Sequence, residues 1–329
     1  MICHFDYLRR YPTVFLKMTG VRLNEFADLL DDVLPRFAQA EQTRLHRTAR
    51  RRVQGGGRHA ELAPRDQILL SIIWLRHYPT NELLGFLFGV SDRTASRVLS
   101  RVIPLLEAAG KDTMRMPDPG RKHRKELDTR LKETPDLAVI IDTFEQRVQR
   151  SKERSDADAH SSGKKKQHTL KSQIAVDEGS GAICDVAGSV PGPTADITLL
   201  KDSKLMERLP AGVGGLGDLA YVGIADLHPQ QRGASPRRKP RGKDRPPEDV
   251  AFNRAFAKRR IKVEHTMNRL RRYQCLNQTD RHHRRHHAPR VCAVAGLVNR
   301  QIRSRLPCSA HMGPGQSVLH VYSEWGLSP

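Results

Sequence analysis

Apolar residues recur at intervals of three and four along Val21–Leu34, where Leu23, Phe26, Leu29, Leu30 and Val33 share one face and predict a helix. Arg44–Arg58 is basic and ends in Gly55-Gly56-Gly57, which reads as a loop. A strongly apolar stretch over Pro64–Tyr78 predicts a second helix, with Pro64 suited to its first turn. Two shorter helices follow. The first covers Asn81–Phe88 and stops at Gly89; the second, Asp92–Val102, starts after Ser91, whose hydroxyl can cap it. Ala95, Val98, Leu99 and Val102 form its inner face, and Arg93, Thr94, Arg97 and Arg101 its outer one. Two short helices around a glycine turn, the second with a basic outer face, have the form of a helix-turn-helix. An ordinary helical hairpin with solvated charges has the same pattern.

The periodicity changes after residue 136. Leu137–Phe144 is a continuous apolar run, suited to a central strand buried on both faces. Leu170–Asp177 and Ala182–Val190 predict two more strands, joined by a turn at Glu178-Gly179-Ser180-Gly181. Thr194–Leu205 predicts a helix and Val213–Leu219 a short strand. Asp249–Tyr273 predicts a long helix whose buried stripe is Phe252, Phe256, Val263, Met267 and Leu270. Strands and helices in this order imply an α/β domain. The expected organisation is a helical domain over 1–110, a basic linker over 111–136, an α/β domain over 137–307 and a tail over 308–329. Residues 228–248, rich in proline, arginine and lysine, read as a flexible basic loop within the α/β domain.

Charge sharpens this picture. The 329 residues carry a net charge of +21, a surplus that attracts polyanions, DNA or RNA above all, and favours the DNA-contacting reading of the helical pair. A membrane surface is the rival, but no apolar run approaches the roughly 20 residues a span needs. The N-terminus also lacks the form of a secretory signal, so the cell interior is the expected location by default. Aromatic residues make up 5%, too few to suggest recognition by base stacking. The five cysteines are scattered, which argues against zinc or disulfide frameworks. No serine or cysteine sits in a nucleophile motif.

Three acids stand where a solvated charge is unexpected. Asp142 follows Val139-Ile140-Ile141, at the presumed end of the central strand. Asp218 closes Gly214-Gly215-Leu216-Gly217. Glu264 borders the buried stripe of the long helix, alone among eight basic residues between Arg254 and Arg272. Such a set suits phosphodiester chemistry. Two Mg²⁺ ions about 3.5–4 Å apart can clamp the attacking and leaving oxygens, and hard cations prefer carboxylate ligands. Each acid also has a plain structural reading: a turn cap, an Asx-turn after the glycines, and a helix-surface pair of Glu264 with Arg260.

Several segments resemble the IS5-type insertion-sequence transposases of the DDE endonuclease superfamily. They are YLRRYPTVFLKMTG (7–20), PTNELLGFLFGVSDRTASRVL, VIIDTFEQRVQR (139–150), SGKKKQHTLKSQIAVD (162–177), VPGPTADITLL (190–200), GDLAYVGI (217–224) and RRIKVEHTMNRLRRYQCL (259–276). Ser151 stands where the family often has proline, and Ser161 where it often has tyrosine. The resemblance implies a ribonuclease H-like catalytic core behind an N-terminal helix-turn-helix domain. It implies Asp142, Asp218 and Glu264 as catalytic, metal-holding acids for two Mg²⁺ or Mn²⁺ ions. Asp196 matches a recurrent family aspartate, a further metal candidate; as a plain reading it is a helix-start acid favoured by the dipole. The implied partners are transposon ends and target DNA, bound by a dimer or larger homo-oligomer, with no membrane. Expected DNA contacts are Arg93, Thr94, Arg97 and Arg101, then Lys164, Lys165, Lys166 and His168, with Arg260 and Arg271 on the long helix. The tract Arg281-His282-His283-Arg284-Arg285-His286-His287 reads as a phosphate-contacting segment rather than a metal site.

Overall fold

A computed structural model describes residues 3–46, 60–120, 128–163, 165–228 and 232–306. The chain opens with helices α1 (Phe5–Leu8), α2 (Pro12–Thr19), α3 (Leu23–Leu45), α4 (Pro64–His77), α5 (Asn81–Phe88) and α6 (Asp92–Lys111). Then come β1 (Leu137–Arg147), α7 (Arg154–Ala159), β2 (Ser161–Ser162), β3 (Gln167–Asp177) and β4 (Ile183–Pro191). They are followed by α8 (Asp196–Ser203), α9 (Leu205–Arg208), β5 (Val213–Leu216), β6 (Gly233–Ala234), α10 (Pro247–Arg271), α11 (Gln274–Asn277) and α12 (His287–Arg303). Most of the glycine-ended basic loop, residues 121–127 of the linker, Lys164 and the tail lie outside the described residues. Among the described residues, no helix is long and apolar enough to cross a membrane.

The strands form one mixed sheet. β1 is antiparallel to β3 and parallel to β5; β3 is antiparallel to β4, β5 is parallel to β6, and β2 pairs with the start of β3. Alternation along β1 separates two faces. Val139 and Ile141 pack with Leu200, Leu205, Met206, Tyr221 and Ile224 on one side. Ala138 packs with Phe252 and Phe256 of α10 on the other, where Ile140 and Phe144 join a core with Val263, Met267 and Leu270. The whole predicted stripe of α10 is buried.

That last core does not stop at the sheet. It runs without a break into Phe26, Leu30, Ile68, Leu69, Phe88, Val98 and Val102 of the N-terminal helices. α12 is the bridge. It crosses α6 where Gly110 meets Gly296; a Cβ at Gly296 would fall on Gly110 Cα, and one at Gly110 on the Cys292 carbonyl. Asn299 accepts from Ile183 N (2.7 Å) and donates to Ile183 O (2.8 Å) and Thr113 Oγ1 (3.1 Å), joining β4 to the end of α6. A second tie closes beside α4. Asp280 and Arg290 form a fully buried ion pair, and the Tyr78 hydroxyl donates to Asp280 at 3.1 Å. Burial opposes ionisation of Asp280, yet the Arg290 guanidinium holds its carboxyl below the ordinary range.

Several elements outrun their sequence signals. α3 continues eleven residues past Leu34 through Pro35, and α6 runs to Lys111 through Pro104. Both prolines are exposed, so the carbonyls their rings deprive of a partner, on Asp31 and Ser100, face solvent. β1 extends to Arg147 because β3 pairs with it along that length, which puts Asp142 mid-strand rather than at its end. The Thr194–Leu205 helix breaks at Lys204, where φ is +52°. The basic tract at 281–287 keeps Arg281, His282, His283, Arg285 and His286 exposed while several of its side chains are tied to the fold. Arg281 lies 4.2 Å from the Tyr78 ring centroid and donates to its carbonyl, Arg284 pairs with Asp156, and His287 is buried between Ser189 and Gln146. Burial pushes the His287 pKa down to about 4.

The α6–α12 crossing sets a direct test. Gly296→Ala gains helix propensity but drives a methyl into backbone, so it should lower stability by about 1–3 kcal/mol net in urea titration. Gly163→Ala, with open space at its Cβ, should leave the midpoint unchanged.

Candidate active site

The parallel register of β1 and β5 pairs Ile140 with Leu216. Two residues beyond each partner lie Asp142 and Asp218, and two steps along extended backbone return a side chain to the same face. Asp218 keeps that extended form (φ −86°, ψ −167°) although β5 has ended. Gly217 N, donating to Ala234 O at 3.0 Å, holds it against β6. The two carboxylates therefore stand side by side on neighbouring strands. They lie on the face covered by α10, which carries Arg260 and, one turn later, Glu264.

Each acid has a defined setting. Asp142 Oδ1 accepts from Thr143 N at 2.8 Å, and Oδ2 lies 3.7 Å from an Arg260 nitrogen, both side chains being mostly buried. Burial, aided by the charges of Asp218 and Glu264, raises the Asp142 pKa to about 6 against the pull of Arg260. Asp218 Oδ1 accepts from Ala220 N at 2.8 Å, so the Asx-turn reading of this residue is also met. Glu264 is exposed. Arg260 Nε is buried without a hydrogen-bond partner, which leaves a donor of the guanidinium to satisfy. Among the described residues, no three of His, Cys, Asp and Glu draw close enough to form a closed metal-binding cluster.

Asp196 sits apart from the three. At the first turn of α8, it accepts from the buried Lys171 ammonium at 2.6 Å, and Lys171 also donates to Thr194 O. Tyr221 links the two places. Its ring is fully buried, and its hydroxyl reaches Gln173 Oε1 at 3.5 Å. Burial first, then the charges of Asp196, Asp142 and Asp218, push its phenol up, so it stays protonated. The glycine motif before Asp218 hinted at Tyr221 only through proximity. Arg259 was missed altogether: it is buried and donates to Glu178, Thr134 and Pro135, pinning α10 to the sheet. Its signal was a basic residue within a helix turn of Phe256 and Val263, on the buried side.

The other basic residues divide by setting. On α6, capped by Ser91 Oγ at 3.1 Å from Thr94 N, Arg93 and Arg97 are exposed and Thr94 is half-buried. Arg101 is held by Glu41 at 2.8 Å and lies over the Phe37 ring. Lys165, Lys166 and Arg271 are exposed, while His168 Nδ1 is turned to Ala157 O at 3.0 Å.

The family described as DDE superfamily endonuclease matches residues 141–299, a span that contains Asp142, Asp218 and Glu264. The helix-turn-helix of DDE superfamily endonuclease matches residues 60–112, which hold α4, α5 and α6. The chain is 27% identical over 290 residues to a "probable transposase for insertion sequence element IS702" of Microchaete diplosiphon, covering 88% of this chain and 94% of that one. No solved structure matches it.

The raised Asp142 pKa has a consequence for stability. A carboxyl whose pKa folding raises binds its proton more tightly in the native state. Its penalty is absent near pH 4 and grows in as pH climbs to about 6. Asp142→Asn should therefore stabilise the protein in EDTA by up to about 3 kcal/mol at pH 7.5 and by little at pH 4, read by urea unfolding.

Proposed function

Since the chain belongs to the DDE superfamily of insertion-sequence transposases, we propose that it cuts a phosphodiester at each end of its element and joins the freed 3′-hydroxyl to target DNA. The catalytic acids in this reading are Asp142, Asp218 and Glu264, in a ribonuclease H-like core. The observation that carries it is the register that sets Asp142 and Asp218 at one level of the sheet, on the face covered by the helix that carries Glu264. Burial raises the Asp142 pKa, and the charges of Asp218 and Glu264, far away in sequence, add to it.

DDE superfamily endonucleases generally use divalent metal ions, and the donor set fits one. The groups are hard oxygen donors, and their mutual repulsion is what a divalent cation relieves. Asp142 and Asp218 would hold it, with Glu264 closing from α10; Mg²⁺ or Mn²⁺ is the expected ion. When bound, it would supply Lewis-acid polarisation of the phosphoryl group and a water acidic enough to attack near neutral pH.

The chain's own groups do the rest. β1 and β5 keep two carboxylates fixed without reorganisation, because both are backbone-anchored at Thr143 and Ala220. Arg260, with its unsatisfied Nε, is placed to leave Asp142 for a phosphate oxygen, a bidentate partner suited to guanidinium. Tyr221 and its surrounding core wall the site on the far face of the sheet. Asp196, bound to Lys171, positions α8 rather than meeting substrate directly. Water is the first nucleophile, the 3′-hydroxyl the second, and no protein-bound intermediate forms.

The helix-turn-helix at 60–112 reads the element's terminal repeats. Arg93, Thr94 and Arg97 lie along the outward side of α6 and reach into the groove, and Arg101, tied to Glu41, orients that helix. Lys165, Lys166 and Arg271 meet backbone phosphates, with His168 at the edge of that surface. Joining two ends requires two copies of the site, hence a dimer or larger assembly on DNA.

Cleavage of duplexes bearing the element's own ends tests this directly, in Mg²⁺ or EDTA. Asp142→Asn, Asp218→Asn and Glu264→Gln should each lower cutting by about a thousandfold, the rate equivalent of roughly 4 kcal/mol, while end binding by gel shift stays largely intact. Full cutting by all three variants would remove them from the site.

A further inference from the structure

Residues 228–248 look like slack, basic chain in the sequence, yet their described part is fixed. Gly233 and Ala234 add a parallel strand beside Gly215 and Leu216. From there the segment turns to α10, where it is anchored at Arg237. Arg237 N donates to Asn253 Oδ1 at 2.8 Å, and Asn253 Nδ2 donates back to Arg237 O at 3.0 Å. The Arg237 guanidinium lies 4.4 Å from the Phe252 ring centroid and pairs with Asp249 at 2.9 Å and Glu133 at 3.2 Å. Prolines at 236, 240, 246 and 247 lock φ along the way.

The anchor holds other cations outward. Arg238, Lys239, Arg241 and Lys243 are all exposed. One acid stands among them, Asp244, whose 3.6 Å contact with Lys239 joins two highly exposed groups and offsets little charge. Arg241 and Lys243 pair with no acid among the described residues. Arg238 Nη2 lies 3.5 Å from Leu219 O, the residue after Asp218. The row of cations therefore begins at the edge of the acidic site and runs away from it toward the start of α10.

We propose that Arg238, Lys239, Arg241 and Lys243 form a prefixed clamp for the phosphate backbone of duplex DNA beside Asp218, separate from the helix-turn-helix. The inference rests on the transposase reading above. The segment from 232 to 246 contains no aromatic residue to stack on a base, so the clamp grips backbone without reading sequence. Its rigidity matters, because a loop already ordered before binding loses less conformational entropy on contact. The DNA held is either the donor strand flanking the cut or the target duplex, which present the same phosphates.

The test uses the full chain with all four residues changed to glutamine (R238Q, K239Q, R241Q and K243Q together), which leaves Arg237 and Asn253 in place. Binding to a duplex of arbitrary sequence is measured by fluorescence anisotropy across a series of NaCl concentrations. The slope of log Kobs against log[salt] should fall by about 3, with affinity lower by on the order of a hundredfold near physiological salt. Cutting of end DNA and joining into a target plasmid are then scored separately. Loss of cutting places the donor strand in the clamp; loss of joining alone places the target there, and either supports the backbone site. An unchanged slope in a variant with an unchanged unfolding midpoint overturns the clamp while leaving the transposase reading intact. Failure of the unaltered chain to bind any duplex overturns both.

Discussion

A carboxylate kept largely out of water is costly, and the strand pairing that imposes this on Asp142 is the constraint on which the rest of the site depends. Burial, with smaller contributions from the charges of Asp218 and Glu264, holds the Asp142 proton on to about pH 6, and one guanidinium, Arg260, works against them. A strained electrostatic arrangement persists only where the backbone leaves it no alternative. Here the constraint is the parallel pairing of β1 with β5, which sets Asp142 and Asp218 at the same level on adjacent strands. Arg259, locked into Glu178, Thr134 and Pro135, then fixes the rotation of α10 and with it the positions of Arg260 and Glu264.

The helix-turn-helix is joined to that centre by packing rather than by a tether. α12 lies between α6 and the sheet, in contact so close at Gly110 and Gly296 that no side chain fits. Tyr78, at the end of α4, shares the buried Asp280–Arg290 pair with the segment that follows α11. The outer face of α6 is thereby referenced to Asp142 and Asp218 through packed elements with a common core. The basic segment before α10 extends the same principle, since its charges are presented from an anchored backbone.

Departures from the sequence expectations have a shared physical cause. Pro35 and Pro104 look like helix ends, but each sits on a solvated face where a lost hydrogen bond costs little. The 281–287 tract reads in sequence as a uniform basic surface, yet Arg281, Arg284 and His287 also hold protein partners, among them an aromatic ring, an aspartate and a buried glutamine. Composition cannot tell which of its cations also holds a partner such as the Tyr78 ring.

Local chemistry was legible directly. The Gly89 and Ser91 signals bounded α5 and α6 because capping depends on adjacent residues alone. The stripe of α10 was legible because burial of one helix face imposes the 3.6 period, and the run of β1 because burial of a strand on both faces leaves it continuously apolar. The three acids stood out as charges in apolar surroundings, and the family resemblance ordered them. Other features arose only when distant segments met. They include the register that sets Asp142 beside Asp218, the pairing of Asp196 with Lys171, the sixth strand at Gly233–Ala234, and the glycine crossing that fuses the two halves. Each depends on which partner a segment meets across long stretches of chain, and no residue's own type or spacing encodes that partner.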